Sequence, residues 1–388
     1  MSMGSSMIWL LAFWWSLFFI IYPYLGYPFL LVILSWFRTA RREIDVRYTP
    51  EITMVIAVHN EEKVIESKIK NCLALNYPKS RIRFLFGSDG STDSTDLILK
   101  KYRNDRIRCR FFENRRGKAS VLNALMEQVR SDIVVFSDAN TMYECESVRH
   151  LVRHFVDTHI GGVCGRLLLV SPNQSAGGRG EALYWDFENR LKFLEGKIKT
   201  VFGANGAIYA IRRNLFIKLP TDRVVMDDFL IPLRIVKEGL DVVYDNEAMG
   251  TETTSLNLRD EFIRKVRIGA ANYNALCEMG SLLNPQKGFT AFGLWSHKVI
   301  RWFVPFFMIA LFVSNVFLVE AVLYSTFFIL QMFFYGMVIG GWLVPKCGFK
   351  VLFISYFTYF AVIHFALLVG FFKFLFKKQK PAWTRLDR

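Results

Sequence analysis

The charged residues of this chain are concentrated in its middle, and long apolar runs lie on both sides of that part. Residues 7–37, 302–319 and 321–345 contain no charged side chain, and 351–372 contains none apart from His364. An α-helix needs about 20 apolar residues to cross the hydrocarbon core of a bilayer. The pattern therefore predicts transmembrane α-helices on both sides of a globular domain.

Three parts follow from this distribution. Residues 1–40 are predicted to form one N-terminal transmembrane helix, 41–280 a globular domain, and 281–388 an interfacial helix, three membrane segments and a basic tail. Pro23 and Pro28 predict a kink in the first helix. A cleaved signal peptide is the alternative, but the apolar run exceeds the usual length of roughly 7–15 residues and no small-residue cleavage site follows it.

Basic residues predict that the globular domain lies on the cytoplasmic side. Arg38, Arg41, Arg42 and Arg47 directly follow the first apolar run, and cytoplasmic flanks carry an excess of Lys and Arg. The six cysteines show no CxxC pair, which is typical of free thiols in a reducing compartment. The formal net charge of +15 does not predict a nucleic-acid partner, because membrane lipid and an anionic ligand account for it and no nucleic-acid-binding motif is present.

Strands and helices alternate through the first half of the globular domain. Strands are predicted at 52–58, 83–86, 107–112 and 133–136, and helices at 61–75, 93–102 and 118–128. Such alternation implies βαβ units and a mostly parallel sheet, so the expected fold class is α/β. Ligands of these sheets bind beyond the carboxyl ends of the strands.

Acidic side chains stand at three of those strand ends. Glu61, Asp89 and Asp138 follow the first, second and fourth strands. Parallel strands bring their carboxyl ends to one edge, so these residues predict a shared metal and nucleotide site. The alternative is local: Asn60 and Thr92 would cap helices, and the Asp-Gly pair would form a turn.

The segments AVHNEE at 57–62 and SDGSTDST at 88–95 resemble the nucleotide-sugar-binding half of family 2 glycosyltransferases. That family includes cellulose, chitin, hyaluronan and poly-N-acetylglucosamine synthases. The resemblance extends over about 50–270 through five motifs in the family's order. It implies a GT-A-type nucleotide-binding domain, an inverting transfer and a nucleotide sugar, UDP-linked, as donor.

The resemblance also implies roles for the residues at the strand ends. Asp89 would hold the base and ribose, with Ala57, His59 and Glu61 lining the same pocket.

Asp138 matches the first position of the family's Asp-x-Asp motif, which binds the sugar nucleotide and its Mg²⁺ or Mn²⁺. Asn140 occupies the second position. Its amide oxygen can coordinate a hard cation but brings no charge, so weaker metal binding is expected.

Basic residues are expected at the diphosphate. Lys118 opens a helix after two arginines and a glycine, which suits a phosphate, although a solvated basic turn is the alternative. Arg264 and Arg267 fall where processive members of the family carry Gln-x-x-Arg-Trp, and Arg267 matches the Arg. Ile268 replaces the Trp, which puts long-chain processivity in doubt.

The acceptor side is predicted from two later motifs. Gly203, Ala204 and Asn205 match a family segment beside the acceptor sugar, and Asp227 and Asp228 match the last two residues of Thr-Glu-Asp. The last Asp of that motif is the family's general base, so the resemblance implies that Asp228 is the base. An inverting transfer needs one such carboxylate to take the proton of the acceptor hydroxyl. Asp227 is its predicted neighbour in the acceptor site. The alternative is an Asp pair that caps the following helix.

The membrane segments leave two questions open. A helix at 181–195 with an apolar stripe is expected either at the membrane interface or on the domain core, and 289–302 is expected to be interfacial. Three C-terminal crossings would put the basic tail outside, against the positive-inside rule. Either 351–372 is re-entrant or interfacial, or the rule is broken. The tail segment at 383–385 loosely resembles a cytoplasmic gating segment of hyaluronan synthases.

Three functions remain in competition. The first is a polysaccharide synthase in a bacterial inner membrane that extends a glycan through its own helices. The second is a transferase that adds one or a few sugars to a lipid-linked acceptor. The third, an inactive membrane scaffold, is disfavoured because Asp89, Asp138 and Asp228 are all present. Four spans would give one protomer a narrow pore, so a homo-oligomer is kept as a hypothesis.

Overall fold

The computed structural model describes residues 3–170, 176–253, 258–343 and 352–378. They form a mixed α/β unit together with long apolar helices from both ends of the chain. The predicted fold class is therefore confirmed.

The N-terminal apolar run is one continuous helical segment. Helix α1 (Met3–Ile21) joins α2 (Tyr27–Phe37) through a π-helical turn at Tyr22–Gly26. Pro23 lies inside that turn, and Pro28 lies at the start of α2. A proline lacks the N–H that would bond to the preceding turn, so the helix widens where Pro23 interrupts its ladder.

The centre of the globular domain is an eight-stranded sheet. Its strands in chain order are β1 (Ile52–Val58), β2 (Ile82–Asp89), β3 (Ile107–Phe112), β4 (Ile133–Ser137), β5 (Met142–Tyr143), β6 (Ile160–Val170), β7 (Ile208–Arg212) and β8 (Asp241–Thr253). Their spatial order is β3-β2-β1-β4-β7-β6-β8-β5. The first four are parallel, whereas β7 runs antiparallel to both β4 and β6. Every residue of β1 and β4 is buried, as expected for central strands covered on both faces.

Helices cover the two faces of this sheet. They are α3 (Ile65–Leu73), α4 (Thr95–Tyr102), α5 (Lys118–Met126), α6 (Ser147–Val152), α7 (Ala176–Ile198), α8 (Asp227–Lys237) and α9 (Leu258–Met279). Helix α3 begins four residues later than the predicted start at 61. The reason is that the backbone N–H of Glu61 bonds to Oγ1 of Thr95 (2.8 Å), which holds this segment as a turn.

Three further apolar helices follow the domain. Helix α10 (Phe289–Gly293) continues through a π-helical turn at Leu294–Val299 into α11 (Ile300–Leu318), and α12 (Val322–Leu343) and α13 (Leu352–Leu375) come next. The expected interfacial helix at 289–302 is therefore the first part of a longer helix, not a separate element. Within the described part of the chain, four segments are long and apolar enough to cross a membrane, namely 6–37, 289–318, 322–341 and 356–375. The tail at 383–385 lies outside the described residues.

The domain and the α10–α11 helix share an apolar core. Gly293 packs against the ring of Phe202 so closely that a side chain at 293 has no room. Further along, Trp302 meets the ring of Phe229 edge-on, with centroids 5.6 Å apart.

Helix α7 is held to the α10–α11 helix by buried charges. Glu188 of α7 pairs with Arg301 (2.5 Å) and with Lys298 (3.3 Å), while His297 lies between Glu188 and Glu195. All five side chains are buried. Buried ions need such partners because leaving water is unfavourable for each charge. The 181–195 helix was expected either at the membrane interface or on the domain core. In the structure it lies between the domain and the apolar helices and joins the two.

Candidate active site

The loop between β3 and α5 is fixed by Asp89, the last residue of β2. Its carboxylate accepts the backbone N–H groups of Arg116 (2.7 Å) and Gly117 (2.8 Å), and the side chain is fully buried. Nδ1 of His59 lies 2.7 Å from the carbonyl oxygen of Asp89. Gly90 (φ +64°) lies against the backbone of Arg115, which leaves little room for a Cβ. Asp89 therefore shapes the pocket wall, and its contact with a base or ribose stays a prediction.

The ends of β1 and β2 are tied together. Oδ1 of Asn60 accepts the backbone N–H of Thr92 (2.8 Å), so neither residue caps a helix and that alternative is wrong. Ala57 is buried at the end of β1, and Glu61 is half-buried beside it. These strand ends form one edge of the sheet, as the sequence predicted.

Lys118 is the centre of the charged cleft. Its Nζ lies 2.9 Å from Oδ1 of Asp138 and 3.1 Å from Oδ1 of Asp227. Burial alone would lower the pKa of Lys118, but Asp138, Asp227 and Asp228 outweigh it and raise that pKa. The alternative of a solvated basic turn is wrong for Lys118, because the ammonium joins two acidic motifs that are far apart in the chain.

Asp227 and Asp228 open helix α8. Met226 is the residue before the helix, and neither carboxylate caps it, so the capping alternative is wrong. Oδ2 of Asp227 accepts a hydrogen bond from the Tyr209 hydroxyl (2.9 Å). Position in the first turn still favours both negative charges, because the helix dipole is positive there.

Asp228 has one oxygen fixed and one oxygen without a partner. Oδ2 accepts the backbone N–H of Gly206 (3.1 Å), and the carbonyl oxygen of Asp228 accepts the N–H of Ala204 (2.7 Å). Oδ1 is buried and has no hydrogen-bond partner among the described residues. Burial and the charge of Asp227 raise the pKa of Asp228 to about 6. A carboxylate in this state can accept a proton near neutral pH.

The two arginines of α9 differ in their contacts. Arg264 is paired with Glu261, at 2.5 Å between Nη2 and Oε2. Arg267 has no ion-pair partner in the part of the chain that the structure describes. It is nevertheless close enough to the cleft for Asp138, Asp228 and Asp227 to act on its pKa, which burial and Arg264 lower. Among the residues that the structure describes, Arg267 is therefore a cation near this cleft that makes no ion pair.

The 203–206 loop lies directly against Asp228. Gly203 has φ +119°, a conformation that favours glycine. Asn205 is fully buried and has hydrogen-bond partners there. Lys192 donates to its side-chain oxygen, and its amide donates to the carbonyl oxygen of Gly165 (2.6 Å). The side chain of Asn205 thus fixes the loop, and acceptor contacts by Gly203, Ala204, Asn205 and Asp227 stay predictions.

Three supporting residues were missed by sequence reasoning, namely Lys192, Gly206 and Tyr209. Glu188, Lys192 and Glu195 lie along one buried side of α7. Charged residues inside an apolar helical stripe could have revealed buried partners. Tyr209 carries no such pattern, because one tyrosine in a strand is usually core.

The oxygen donors of the cleft suit a hard divalent cation. Asp138 keeps a side chain that is 38% exposed, and Asn140 follows it two residues on. No cluster of three or more His, Cys, Asp or Glu side chains of metal-binding geometry occurs among the described residues. Mg²⁺ commonly binds one or two carboxylates and completes its shell with substrate phosphates, so Asp138 and Asn140 fit that mode.

A mixed sheet with acids and cations gathered at the carboxyl edge defines a nucleotide-binding domain of the GT-A class. A mannosyltransferase from Pyrobaculum calidifontis, solved with GDP-Man and Mn²⁺, shares this fold with a TM-score of 0.69. The alignment covers 93% of this chain and 98% of that one, at 19% identity.

Residues 53–219 match the model of glycosyl transferase family 2, so the chain carries a family 2 glycosyltransferase domain. A poly-β-1,6-N-acetyl-D-glucosamine synthase of Staphylococcus aureus is 37% identical over 126 residues, which are 32% of this chain and 30% of the synthase. The chain thus matches less than a third of the length of that relative. A probable glycosyltransferase of Bacillus subtilis, YdaM, is 25% identical over 89% of this chain and 88% of its own length. Domains of this family transfer a sugar from a nucleotide sugar.

Proposed function

We propose that this chain is an inverting, membrane-bound glycosyltransferase that moves a sugar from a UDP-linked donor to a glycan or lipid-linked acceptor. The observation that carries the proposal is Asp228. Gly206 fixes one of its carboxylate oxygens, the other has no hydrogen-bond partner among the described residues, and its pKa is about 6. The similarity to a poly-N-acetylglucosamine synthase makes UDP-N-acetylglucosamine the first donor to test.

The reaction needs one proton acceptor and several positive charges. The acceptor hydroxyl oxygen attacks the anomeric carbon and gives its proton to Oδ1 of Asp228. The bond between that carbon and the diphosphate breaks, and its electron pair leaves with the nucleoside diphosphate. Lys118 and Arg267 neutralise the charge that develops on the diphosphate. A divalent cation held at Asp138 and Asn140 would supply further charge neutralisation to the leaving group.

The proposed location is a bacterial inner membrane with the domain on the cytoplasmic face. Arg38, Arg41, Arg42 and Arg47 support this side, because they directly follow the first apolar helix. Membrane lipid is then a constant partner of the chain.

A polysaccharide synthase and a transferase that adds one or a few sugars both fit the site. The layout of apolar helices around the domain favours a polysaccharide synthase. Ile268, in place of the family's Trp, favours one or a few additions to a lipid-linked acceptor. A cavity of about 250 Å³ between the apolar helices, lined by Phe13, Leu311 and Phe334 among others, is suited to a hydrocarbon chain and supports the second function.

Turnover by the purified protein tests the proposal. Release of nucleoside diphosphate is measured with Mg²⁺ or Mn²⁺ across a panel of nucleotide sugars, beside Asp228→Asn. Turnover with one donor that is lost in the variant supports the transferase. Donor binding without turnover in any membrane extract would contradict it and support a scaffold. The length of the product separates a polymer from a single addition.

A further inference from the structure

Helix α13 runs side by side with α9 of the globular domain. The Tyr359 hydroxyl donates to Oε1 of Glu261 (3.2 Å), and Phe365 stacks on Phe262 with centroids 5.8 Å apart. One and a half turns further on, a Cβ at Gly370 would lie 2.8 Å from the carbonyl oxygen of Val266.

The contact continues to the last turn of α13. Tyr273 meets the rings of Phe371 (5.2 Å) and Phe374 (5.7 Å). The partners follow the same order in both helices, so residues 359–374 lie along residues 261–273. At 1.5 Å per residue, that contact is about 20 Å long.

Helix α9 cannot lie in hydrocarbon. It carries charged side chains through its first half and brings Arg267 near the charged cleft. Charged groups at the centre of a bilayer are strongly unfavourable. A helix that follows α9 over most of its length therefore lies at the level of the globular domain and not across the membrane.

The other face of α13 is suited to lipid. Phe372 is 44% exposed and Leu375 is 55% exposed, whereas Ala366 and Leu367 are buried. Lys373, Lys377 and Lys378 follow at its end, where they can reach anionic headgroups.

We propose that α13 is a membrane-surface helix, packed on α9 and facing lipid, and not a fourth crossing. The chain then crosses the membrane three times, through α1–α2, α10–α11 and α12. An odd number of crossings with the domain after the first places residue 378 on the same side as the domain. The basic tail that follows then obeys the positive-inside rule.

Cysteine labelling of the full chain in intact cells tests this topology. Lys378→Cys is treated with a membrane-impermeant maleimide before and after permeabilisation. Glu320→Cys, in the turn between α11 and α12, is the control for the opposite side, and the native exposed Cys145 and Cys277 report the side of the domain. We expect the K378C thiol to react only after permeabilisation, as Cys145 and Cys277 do, and the E320C thiol to react in intact cells.

Reaction of the K378C thiol in intact cells would overturn the proposal. A fluorescent protein that matures only in the cytoplasm, fused after residue 388, gives a second answer that does not depend on thiol reactivity. Fluorescence supports the surface helix, and a dark but membrane-inserted fusion contradicts it. Neither result depends on the sugar donor, so failure of the proposed activity leaves this test intact.

Discussion

The backbone N–H of Gly206 donates a hydrogen bond to Oδ2 of Asp228, over 3.1 Å. A Cβ at position 206 would lie 2.9 Å from the same oxygen, so only glycine lets the loop approach the carboxylate this closely.

We expect Gly206→Ala to displace the Asp228 carboxylate and lower kcat by about 10²-fold, the scale of a small misplacement of a catalytic group. KM for the donor should change little, because the loop is predicted to lie on the acceptor side. Gly280→Ala is the matched control, since nothing lies within 4 Å of its added Cβ. Equal activity of the two variants would show that the loop does not position Asp228.

Asp228→Asn removes the proposed proton acceptor while keeping the size of the side chain. Turnover should fall by about 10²–10⁴-fold, which is the usual contribution of a general base. Binding of the nucleotide sugar, measured by calorimetry, should persist. Asp222→Asn in the preceding loop is the control, because Asp222 is exposed. Full turnover in Asp228→Asn would assign the base elsewhere.

The pH dependence follows from the pKa of Asp228, which burial and Asp227 raise to about 6. The base works only when deprotonated, so kcat/KM should fall as the pH drops through about 6 and level off above it. Asp227→Asn removes a neighbouring negative charge, so the fall in kcat/KM should move to lower pH in this variant. If kcat/KM of Asp227→Asn falls at the same pH as in the unchanged protein, another group is responsible for the pH dependence.

Asn140→Asp should strengthen metal binding. The substitution adds a negative charge near the cation, and even in water one unit charge at about 4 Å contributes about 1 kcal/mol, or roughly fivefold in the dissociation constant. Titration of Mn²⁺ followed by magnetic resonance measures this without turnover. Asn104→Asp, in an exposed turn between α4 and β3, is the control. No change in affinity would remove position 140 from the metal site.

Glu188→Gln leaves Arg301, Lys298 and His297 with too little negative charge in a buried cluster. Breaking a buried ion pair from one side destabilises by about 3–5 kcal/mol, so a large fall in thermal stability in detergent is expected. Asp186→Asn breaks the exposed pair with Arg190 instead and should change stability by less than about 1 kcal/mol. Similar effects of both variants would mean that the cluster is not buried in solution.

The strands that the sequence predicted are the ones whose patterns are local. Residues 52–58 and 133–136 are short apolar runs next to turns, and burial on both faces makes such runs recognisable. The antiparallel β7 was not predicted as the neighbour of β4, because pairing between distant strands leaves no local pattern.

The edge on which the site lies was predictable, but the partners of its side chains were not. Asp89 and Asp138 both follow strands, yet one binds backbone N–H groups inside the protein and the other binds Lys118 at the cleft. The position of a carboxylate after a strand does not indicate whether it will bind backbone N–H groups or a side chain in the cleft. The pairing of Lys118 with Asp227 depends on how α5 and α8 pack on the same face of the sheet.

The contacts of Gly293 with Phe202 and of Trp302 with Phe229 lie one residue away from Gly203 and Asp228. A chain cut after residue 280 would therefore lose one wall of its own catalytic centre, and a soluble fragment should be inactive even where it folds. By the same geometry, exchanging the α10–α11 helix between relatives requires residues 202 and 229 to be exchanged with it.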